Sequence, residues 1–200
     1  INAPNAYGLE RYRDFCIGRA NAFEDLSYAP SALPAATGIG FQDGGVCIFL
    51  IARKTPHAVN IENPLQVPAY QYPQIYGPKS PSFARATVLE TQVGRYLYVS
   101  GTASIRQHRS LTDSLEQQIM MTIENIRSLI KTAQSNFNSS QEYICDSLKI
   151  YVRNEQDACF IASAFHAAFN VTADNAPVLI SDICRSELSL EVEGIFRCPP

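Results

Sequence analysis

The sequence predicts an α+β fold in which helices cover one face of a mixed β-sheet. From residue 86 onward, segments with strand and helix character follow one another in the order ββαβαββ. The longest helical segment carries its apolar side chains in a single stripe, the pattern of a helix that packs on a sheet. Together these observations favour helices on one side of the sheet over a doubly wound arrangement.

The first half of the chain predicts a helix followed by two strands. Apolar side chains recur at helical spacing over 9–23. The apolar run 46–52 predicts a buried strand, paired through a turn at 42–45 with a strand over 36–41. A helix and two strands are also the last three elements of the ββαβαββ unit. We therefore expect 1–75 to hold a partial second copy of that unit, which ends in a proline-rich linker.

The second half of the chain, 76–200, predicts one complete unit. Its elements are strands over 86–90 and 96–103, a helix over 112–133, a strand over 143–152, a helix over 156–169, and strands over 178–184 and 188–196. The apolar stripe on the long helix consists of Leu115, Ile119, Ile123, Ile126 and Ile130. Because these residues recur at three- and four-residue steps, one face of the helix is predicted to meet the sheet.

The composition is typical of a folded protein the size of a small enzyme. The chain has 200 residues, of which 46% are hydrophobic, and its net charge is −3, which argues against disorder. Its longest apolar run stops at Arg53, well short of the ~18 residues that span a bilayer. No cluster of Lys and Arg forms the basic stripe that nucleic acids require. We therefore expect a cytoplasmic protein that has neither a membrane nor a nucleic acid as a partner.

The cysteine and histidine patterns argue against a metal site. None of the six cysteines forms a C-x-x-C pair, and the three histidines lie far apart in the sequence. Scattered thiols are more typical of a reducing compartment than of a disulfide framework. We expect neither a metal nor another cofactor.

Residues 182–194 hold many ionisable groups for a segment with strand character. The alternation from residue 188 onward places Leu188, Leu190 and Val192 on one face, and Ser189, Glu191 and Glu193 on the other. Two carboxylates then share a face. That face is either a solvated surface beside a packed core or part of a site, and the alternation alone leaves both interpretations open.

Five blocks of the sequence carry a resemblance to a known family. They are residues 8–13, 61–70, 76–86, 100–105 and 182–194. Together they resemble the chorismatases, which release pyruvate from chorismate. The resemblance implies a RidA/YjgF-like (chorismate-mutase-like) fold on a longer chain with an additional N-terminal portion, which we expect this sequence to lack. The first residue, Ile1 rather than Met, is typical of a piece of a longer protein or of a processed chain.

The resemblance implies that Glu191 is the acid that protonates the enolpyruvyl group of chorismate. Cleavage of an enol ether needs a proton, and a carboxylic acid delivers one at neutral pH only if burial or a like charge raises its pKa. Glu193, two residues further on, is a candidate for that neighbouring charge. The alternative is that Glu191 is a surface carboxylate.

Chorismate has two carboxylates, so its site needs two cationic or hydrogen-bonding groups. Arginine suits this task because its guanidinium binds a carboxylate through two hydrogen bonds. The resemblance implies Arg185 as one such group, since RidA-like folds keep a carboxylate-binding arginine there. The further substrate-binding candidates are Arg85, Lys79, Arg153 and Tyr76. The alternative for the basic candidates is that they are solvated, as lone basic residues more often are. The alternative for Tyr76 is that it only packs against its neighbours, as tyrosines in such loops more often do.

Two further residues match the kind of chorismatase that forms 3-hydroxybenzoate. The resemblance implies for this kind a cysteine seven residues before the catalytic glutamate and a glycine after a strand serine, and Cys184 and Gly101 match both. A thiol there exchanges protons with a ring intermediate, and the glycine leaves space for it. 4-Hydroxybenzoate is a second product of some members, and others release a dihydroxycyclohexadiene carboxylate. An inert strand cysteine is the alternative for Cys184.

Other functions remain open from the sequence. A RidA-type enamine or imine deaminase needs the arginine and a positioned water, and a non-catalytic ligand-binding member keeps the fold without the chemistry. The label pteridine-dependent dioxygenase, used for similar sequences, requires metal ligands that the sequence does not offer. We expect chorismate as the small-molecule partner, and either a monomer with an internal repeat or a RidA-like trimer.

Overall fold

The core of the protein is a six-stranded mixed sheet with two helices packed on one of its faces. The computed structural model describes residues 1–41, 45–52, 54, 58–138 and 140–200. The strands are β1 (Ala58–Ile61), β2 (Ala86–Thr91), β3 (Gly94–Thr102), β4 (Ile105–Arg106), β5 (Arg109–Ser110), β6 (Ile144–Val152), β7 (Val178–Ile180) and β8 (Leu190–Cys198). The helices are α1 (Arg11–Asp25), α2 (Leu115–Asn136) and α3 (Ala158–Phe169).

The strands of the main sheet lie in the order β1-β2-β3-β8-β6-β7, and β4 pairs with β5 in a separate hairpin. All neighbours in the main sheet are antiparallel except β6 and β7, which are parallel. A parallel pair needs a crossover connection, and α3 supplies it. As a result, β8 is central and pairs with both β3 and β6.

The main hydrophobic core lies between the sheet and the helices α2 and α3. Leu190 and Val192 of β8 are fully buried there, together with Ile126 of α2 and Phe165 of α3. Because side chains alternate along a strand, the intervening residues of β8 point away from this core. The predicted stripe of α2 is confirmed, since its five residues are buried or pack against the buried cluster.

The predicted order ββαβαββ is confirmed by β2, β3, α2, β6, α3, β7 and β8. The strand predicted over 178–184 ends earlier, at Ile180, because the chain then turns into a loop that precedes β8. Strand β1 was not predicted, since it lies in the proline-rich segment interpreted as a linker. It extends the sheet by pairing with β2. Among the residues that the structure describes, no helix has the length and apolarity to cross a membrane.

The first half of the chain departs from its predicted strands. The helix is present as α1, but the residues of 46–52 form no strand, and Val46, Phe49 and Leu50 are 84%, 81% and 79% exposed. A buried strand needs backbone partners and a packed face, and the described residues offer this segment neither. Residues 36–41 make only an isolated bridge. Part of the predicted turn, 42–44, lies outside the described residues. The partial second copy and the boundary after residue 75 stay predictions.

Candidate active site

A cavity of about 410 Å³ opens where α1, the segment 72–85, β3 and the segment 184–191 come together. The predicted site residues that line it are Glu191, Cys184, Arg185, Arg85, Tyr76, Lys79 and Gly101. Arg153 lies outside it. The fold therefore gathers residues from widely separated parts of the sequence around one enclosed space.

Glu191 is the buried carboxyl group of this cavity. It lies in β8 opposite Tyr151 of β6, and only 4% of its surface is exposed, so the solvated-face interpretation is wrong for this residue. Burial raises the pKa of Glu191 to about 7, and the charge of Glu193 acts in the same direction. A hydrogen bond from Cys184 and the charge of Arg85 lower the pKa without outweighing burial. Such a carboxyl group holds a proton near neutral pH and can donate it.

Glu193 has its own partners on the same face of the sheet. Its carboxylate accepts hydrogen bonds from Lys149 Nζ at 2.7 Å and from the hydroxyl of Tyr151 at 3.0 Å. An ion pair and a hydrogen bond favour the charged form of a carboxylate. Glu193 therefore has polar partners of its own outside the pocket of Glu191.

Cys184 is in direct contact with the acid. Cys184 is partly buried and its thiol hydrogen bonds to Glu191, and burial and the charge of Glu191 raise the pKa of Cys184 well above its ordinary value. The group is therefore a neutral thiol rather than a thiolate near neutral pH. A thiol in contact with a carboxyl group is placed to pass a proton to or from it.

Gly101 leaves room for the carboxyl group of Glu191. The pairing of β3 with β8 shifts register between Val99 and Thr102, so the strand bulges at this point. The backbone N–H of Gly101 donates to Thr37 Oγ1 at 2.9 Å. A Cβ atom at Gly101 would overlap Glu191 Oε1. A side chain at this position would have to displace the carboxyl group of Glu191 from where it lies.

Arg185 presents an unpaired hydrogen-bond donor at the cavity. Its Nη1 donates to the carbonyl oxygen of His108 and to Ser110 Oγ, both at 3.0 Å. Its guanidinium lies over the ring of Tyr76, with Cζ 3.9 Å from the ring centroid, and 5.2 Å from that of Tyr72. The Nη2 atom is buried and has no hydrogen-bond partner among the described residues. A buried, unpaired guanidinium N–H favours an anionic ligand.

Arg85 is a second buried guanidinium with an unpaired atom. It is 3% exposed, and its Nη2 donates to the carbonyl oxygen of Val67 at 2.9 Å and to the hydroxyl of Tyr72. Its Nε is buried without a partner among the described residues. The carboxyl group of Glu62, which the sequence analysis did not select, accepts the backbone N–H of Arg85, and burial raises the pKa of Glu62 to about 7.

Tyr76 and Lys79 line the cavity, and the polar group of each already has a partner in the protein. The hydroxyl of Tyr76 hydrogen bonds to His108 Nδ1 at 3.1 Å, while its ring supports Arg185. Lys79 forms an ion pair with Glu24 of α1. Lys79 thus joins the proline-rich segment to α1, at the wall of the cavity.

Arg153 binds the loop between β7 and β8 through hydrogen bonds to its backbone. Its Nε donates to Leu188 O at 2.9 Å, and its Nη2 donates to Ile183 O at 3.2 Å and Arg185 O at 3.1 Å. Its Nη1 pairs with Asp182 at 2.9 Å. A guanidinium bound in this way has little left to offer a ligand. Arg153 thus binds this loop and lies outside the cavity, and its predicted role in substrate binding stays a prediction.

Helix α1 contributes residues that the sequence analysis did not select as site residues. Tyr12, Cys16 and Arg19 line the cavity, as does Gly38 in the segment after α1. The signal for two of them was present, since Tyr12 and Cys16 belong to the apolar face of the predicted helix. That spacing predicted a helix and no more, because a sequence pattern does not show what a helix packs against.

Comparisons with known proteins show a shared fold first. A Rid-family protein of unknown function, YyfA from Yersinia pestis, has a TM-score of 0.50 at 16% identity, covering 69% of this chain and 97% of that one. A likeness at this identity shows the fold alone. It confirms the predicted RidA/YjgF-like α+β arrangement. A solved chorismatase is far more similar, with a TM-score of 0.82 at 34% identity over 97% of this chain and 60% of that one.

Sequence comparisons find similarity to chorismatases. A family model described as "Chorismatase FkbO/Hyg5-like, N-terminal" matches residues 1–52. A 3-hydroxybenzoate synthase of Streptomyces hygroscopicus is 41% identical over 98% of this chain, and a chorismatase of the same organism is 40% identical over 98%. This chain spans 60% and 58% of their lengths. The chain is similar to chorismatases over nearly its whole length and spans about three fifths of theirs.

Proposed function

We propose that this chain carries the active site of a chorismatase that converts chorismate to 3-hydroxybenzoate and pyruvate. The observation that carries the proposal is the carboxyl group of Glu191, which is buried in a cavity that also presents unpaired guanidinium N–H groups. The similarity to a relative named 3-hydroxybenzoate synthase supports the choice of ring product. Pyruvate is the product common to every ring outcome.

The reaction begins when Glu191 protonates the methylene carbon of the enolpyruvyl group. Positive charge then develops at the ether carbon, and the new carboxylate of Glu191 stabilises it from close by. When the bond between the ring and the ether oxygen breaks, its electron pair stays with the oxygen, which becomes the keto oxygen of pyruvate. The ring carbon that carried the ether, C3, is left one electron pair short. For 3-hydroxybenzoate, the oxygen of the neighbouring C4 hydroxyl bonds to C3 as its bond to C4 breaks, and the proton on C3 is then lost. Loss of the C4 proton without this shift gives 4-hydroxybenzoate.

Formation of the aromatic product returns the proton. Hydroxybenzoate and pyruvate together contain the atoms of chorismate, so one proton must leave the ring for the one that was added. The Glu191 carboxylate is the acceptor, directly or through the thiol of Cys184 that is hydrogen bonded to it. The dihydroxycyclohexadiene product, by contrast, consumes a water molecule. A neutral thiol beside the acid therefore favours rearomatisation.

The two carboxylates of chorismate match the two buried guanidinium groups. Arg185 has a free Nη2 and Arg85 a free Nε, and both line the cavity. An anion that accepts these N–H groups removes two unsatisfied donors from the buried interior, which favours binding. Arg185 is further held in place by the ring of Tyr76.

Incubation of the purified chain with chorismate tests this proposal. Chromatography of the ring product, together with enzymatic assay of pyruvate, should show 3-hydroxybenzoate and pyruvate in equal amounts, and would also show any 4-hydroxybenzoate. Incorporation of labelled oxygen from water into the ring product identifies the diol route. A folded chain that neither binds chorismate nor releases pyruvate would overturn the proposal, and hydrolysis of an imine substrate would then favour the deaminase alternative.

A further inference from the structure

We propose that Tyr12 of α1 is a further positioning residue of this site, which packs with the segment 37–38 at the wall of the cavity and keeps bulk water away from Glu191. The proposal rests on the proposed function, since it concerns the same acid. Its evidence is the packing of α1 against the cavity. Tyr12, Cys184 and Glu191 line the same enclosed space.

A continuous layer of contacts connects Tyr12 with Glu191. A methyl group at Gly38 would lie 3.2 Å from Tyr12 Cε2, so the ring rests directly on this backbone. The preceding residue, Thr37, accepts the N–H of Gly101, and a Cβ atom at Gly101 would meet Thr37 Cγ2 at 2.9 Å as well as overlap the carboxyl group of Glu191. The segment 37–38 is thus packed between the ring of Tyr12 and Gly101, the residue of β3 that lies beside Glu191.

The position of Tyr12 is fixed from the helix side as well. Its hydroxyl hydrogen bonds to Cys16, which is 4% exposed and lies one turn further along α1. Arg19, on the same side of the helix, donates from Nε to the carbonyl oxygen of Ser82 at 3.0 Å. These contacts hold α1 against the cavity. The ring of Tyr12 is therefore held between α1 and the segment 37–38.

The ring acts on the acid by excluding water rather than by charge. The titratable and charged groups around Glu191 are Arg85 before β2, Cys184 and Arg185 in the loop, Tyr151 in β6, Glu193 in β8, and Tyr12 and Cys16 in α1. Burial, followed by the charges of Cys184 and other neighbours, raises the pKa of Tyr12 well above its ordinary value. Tyr12 is therefore neutral throughout the range in which Glu191 titrates. If the ring is removed, water reaches the carboxylate, stabilises its charged form and lowers its pKa.

Infrared titration of the carboxylic acid band tests this proposal directly. The band of Glu191 is assigned by difference with Glu191→Gln, and its midpoint is measured in the whole chain, in Tyr12→Phe and in Tyr12→Ala. We expect a midpoint near pH 7 in the parent. The same midpoint is expected in Tyr12→Phe, which keeps the ring. In Tyr12→Ala the midpoint should be lower by about one pH unit or more. The matched control is Gly18→Ala, a change on the same helix whose added methyl group meets nothing within 4 Å.

An unchanged midpoint in folded Tyr12→Ala would overturn the proposal, as would a shift of equal size in Tyr12→Phe or in Gly18→Ala. If Tyr12→Ala does not fold, Tyr12→Leu provides the same test with a smaller opening, and the expected shift keeps its direction. The titration does not depend on turnover. A parent chain whose acid titrates near pH 7 but which leaves chorismate intact would contradict the proposed function while leaving the role of Tyr12 standing.

Discussion

The carboxyl group of Glu191 occupies the space that a side chain at Gly101 would fill. The glycine lies in a bulge of β3, and the hydroxyl of Thr37 satisfies its backbone N–H at 2.9 Å. Any larger residue at this position must displace the acid, the threonine or both. The sequence had suggested that Gly101 leaves space beside the substrate ring. The structure adds that it also sets the position of the acid.

Replacing Gly101 by Ala together with Cys184 by Val should shift the ring product toward the diol while pyruvate is still released. The change removes the thiol that exchanges protons with Glu191, and the added methyl group crowds the carboxyl group. Overpacking of this kind costs about 1–3 kcal/mol, so slower turnover and a lower melting temperature are also expected for Gly101→Ala alone. Chromatography of the ring product measures the outcome. A double variant that still makes only hydroxybenzoate would show that these positions do not select the product.

The stability of the chain should fall as the pH rises toward and past neutrality. The pKa of Glu191 is about 7 in the folded protein against an ordinary value of 4.5. The folded state therefore retains a proton that the unfolded state releases. The associated stability is fully present below about pH 4.5 and is lost as the pH rises through about 7, up to about 3 kcal/mol.

Urea unfolding of the parent and of Glu191→Gln at about pH 5 and about pH 8 measures this loss. The free energy of unfolding should fall more between these two pH values in the parent than in Glu191→Gln, because the amide does not titrate. Glu62→Gln is the matched comparison, since the pKa of Glu62 is also raised to about 7 but the residue is less buried. Equal pH dependence in the parent and in Glu191→Gln would contradict the buried, protonated acid.

Arg185→Ala should weaken the binding of chorismate and of benzoate-like inhibitors together. Loss of a partly buried, charge-assisted contact costs about 2–5 kcal/mol. Arg185→Lys should rescue little, because an ammonium group neither stacks on Tyr76 nor forms two parallel hydrogen bonds. Calorimetric titration with the inhibitor measures the effect, with Arg106→Ala as a control for an exposed arginine that pairs with Glu124 outside the cavity. Unchanged inhibitor affinity in folded Arg185→Ala would count against its role.

Arg153→Ala should destabilise the chain more than it weakens inhibitor binding. Its guanidinium holds three carbonyl oxygens of the loop between β7 and β8, and hydrogen bonds to a charged group contribute about 1.5–3 kcal/mol each at most. Thermal unfolding and calorimetric titration of the same variant separate the two effects. If inhibitor affinity falls as far as in Arg185→Ala while stability is kept, Arg153 is a ligand of the substrate after all.

The sequence was most informative where local pattern and packing coincide. Alternation in 188–196 placed Glu191 on the face opposite Leu190, and this is correct. The pattern did not show whether that face is solvated, because the covering residues come from α1 and from the segment 37–38, far away in the chain. For the same reason, Tyr12 was predicted only as part of a helix and was not selected as a site residue.

The run 46–52 shows the opposite case. Its composition favours a buried strand, yet burial depends on a partner strand and a packed face, which lie outside the run itself. The described residues supply neither, and the run is exposed. A local pattern predicts which face of a strand is apolar, but the partner that covers the face is a property of the whole fold.

The central claim is that Glu191 donates the proton that opens chorismate, and the most direct test is pyruvate release by Glu191→Gln. The amide keeps the size of the side chain and cannot supply the proton. We predict that turnover falls by roughly 10² to 10⁴ relative to the parent, while chorismate still binds in a calorimetric titration. Near-normal release of pyruvate by the folded variant would contradict the claim.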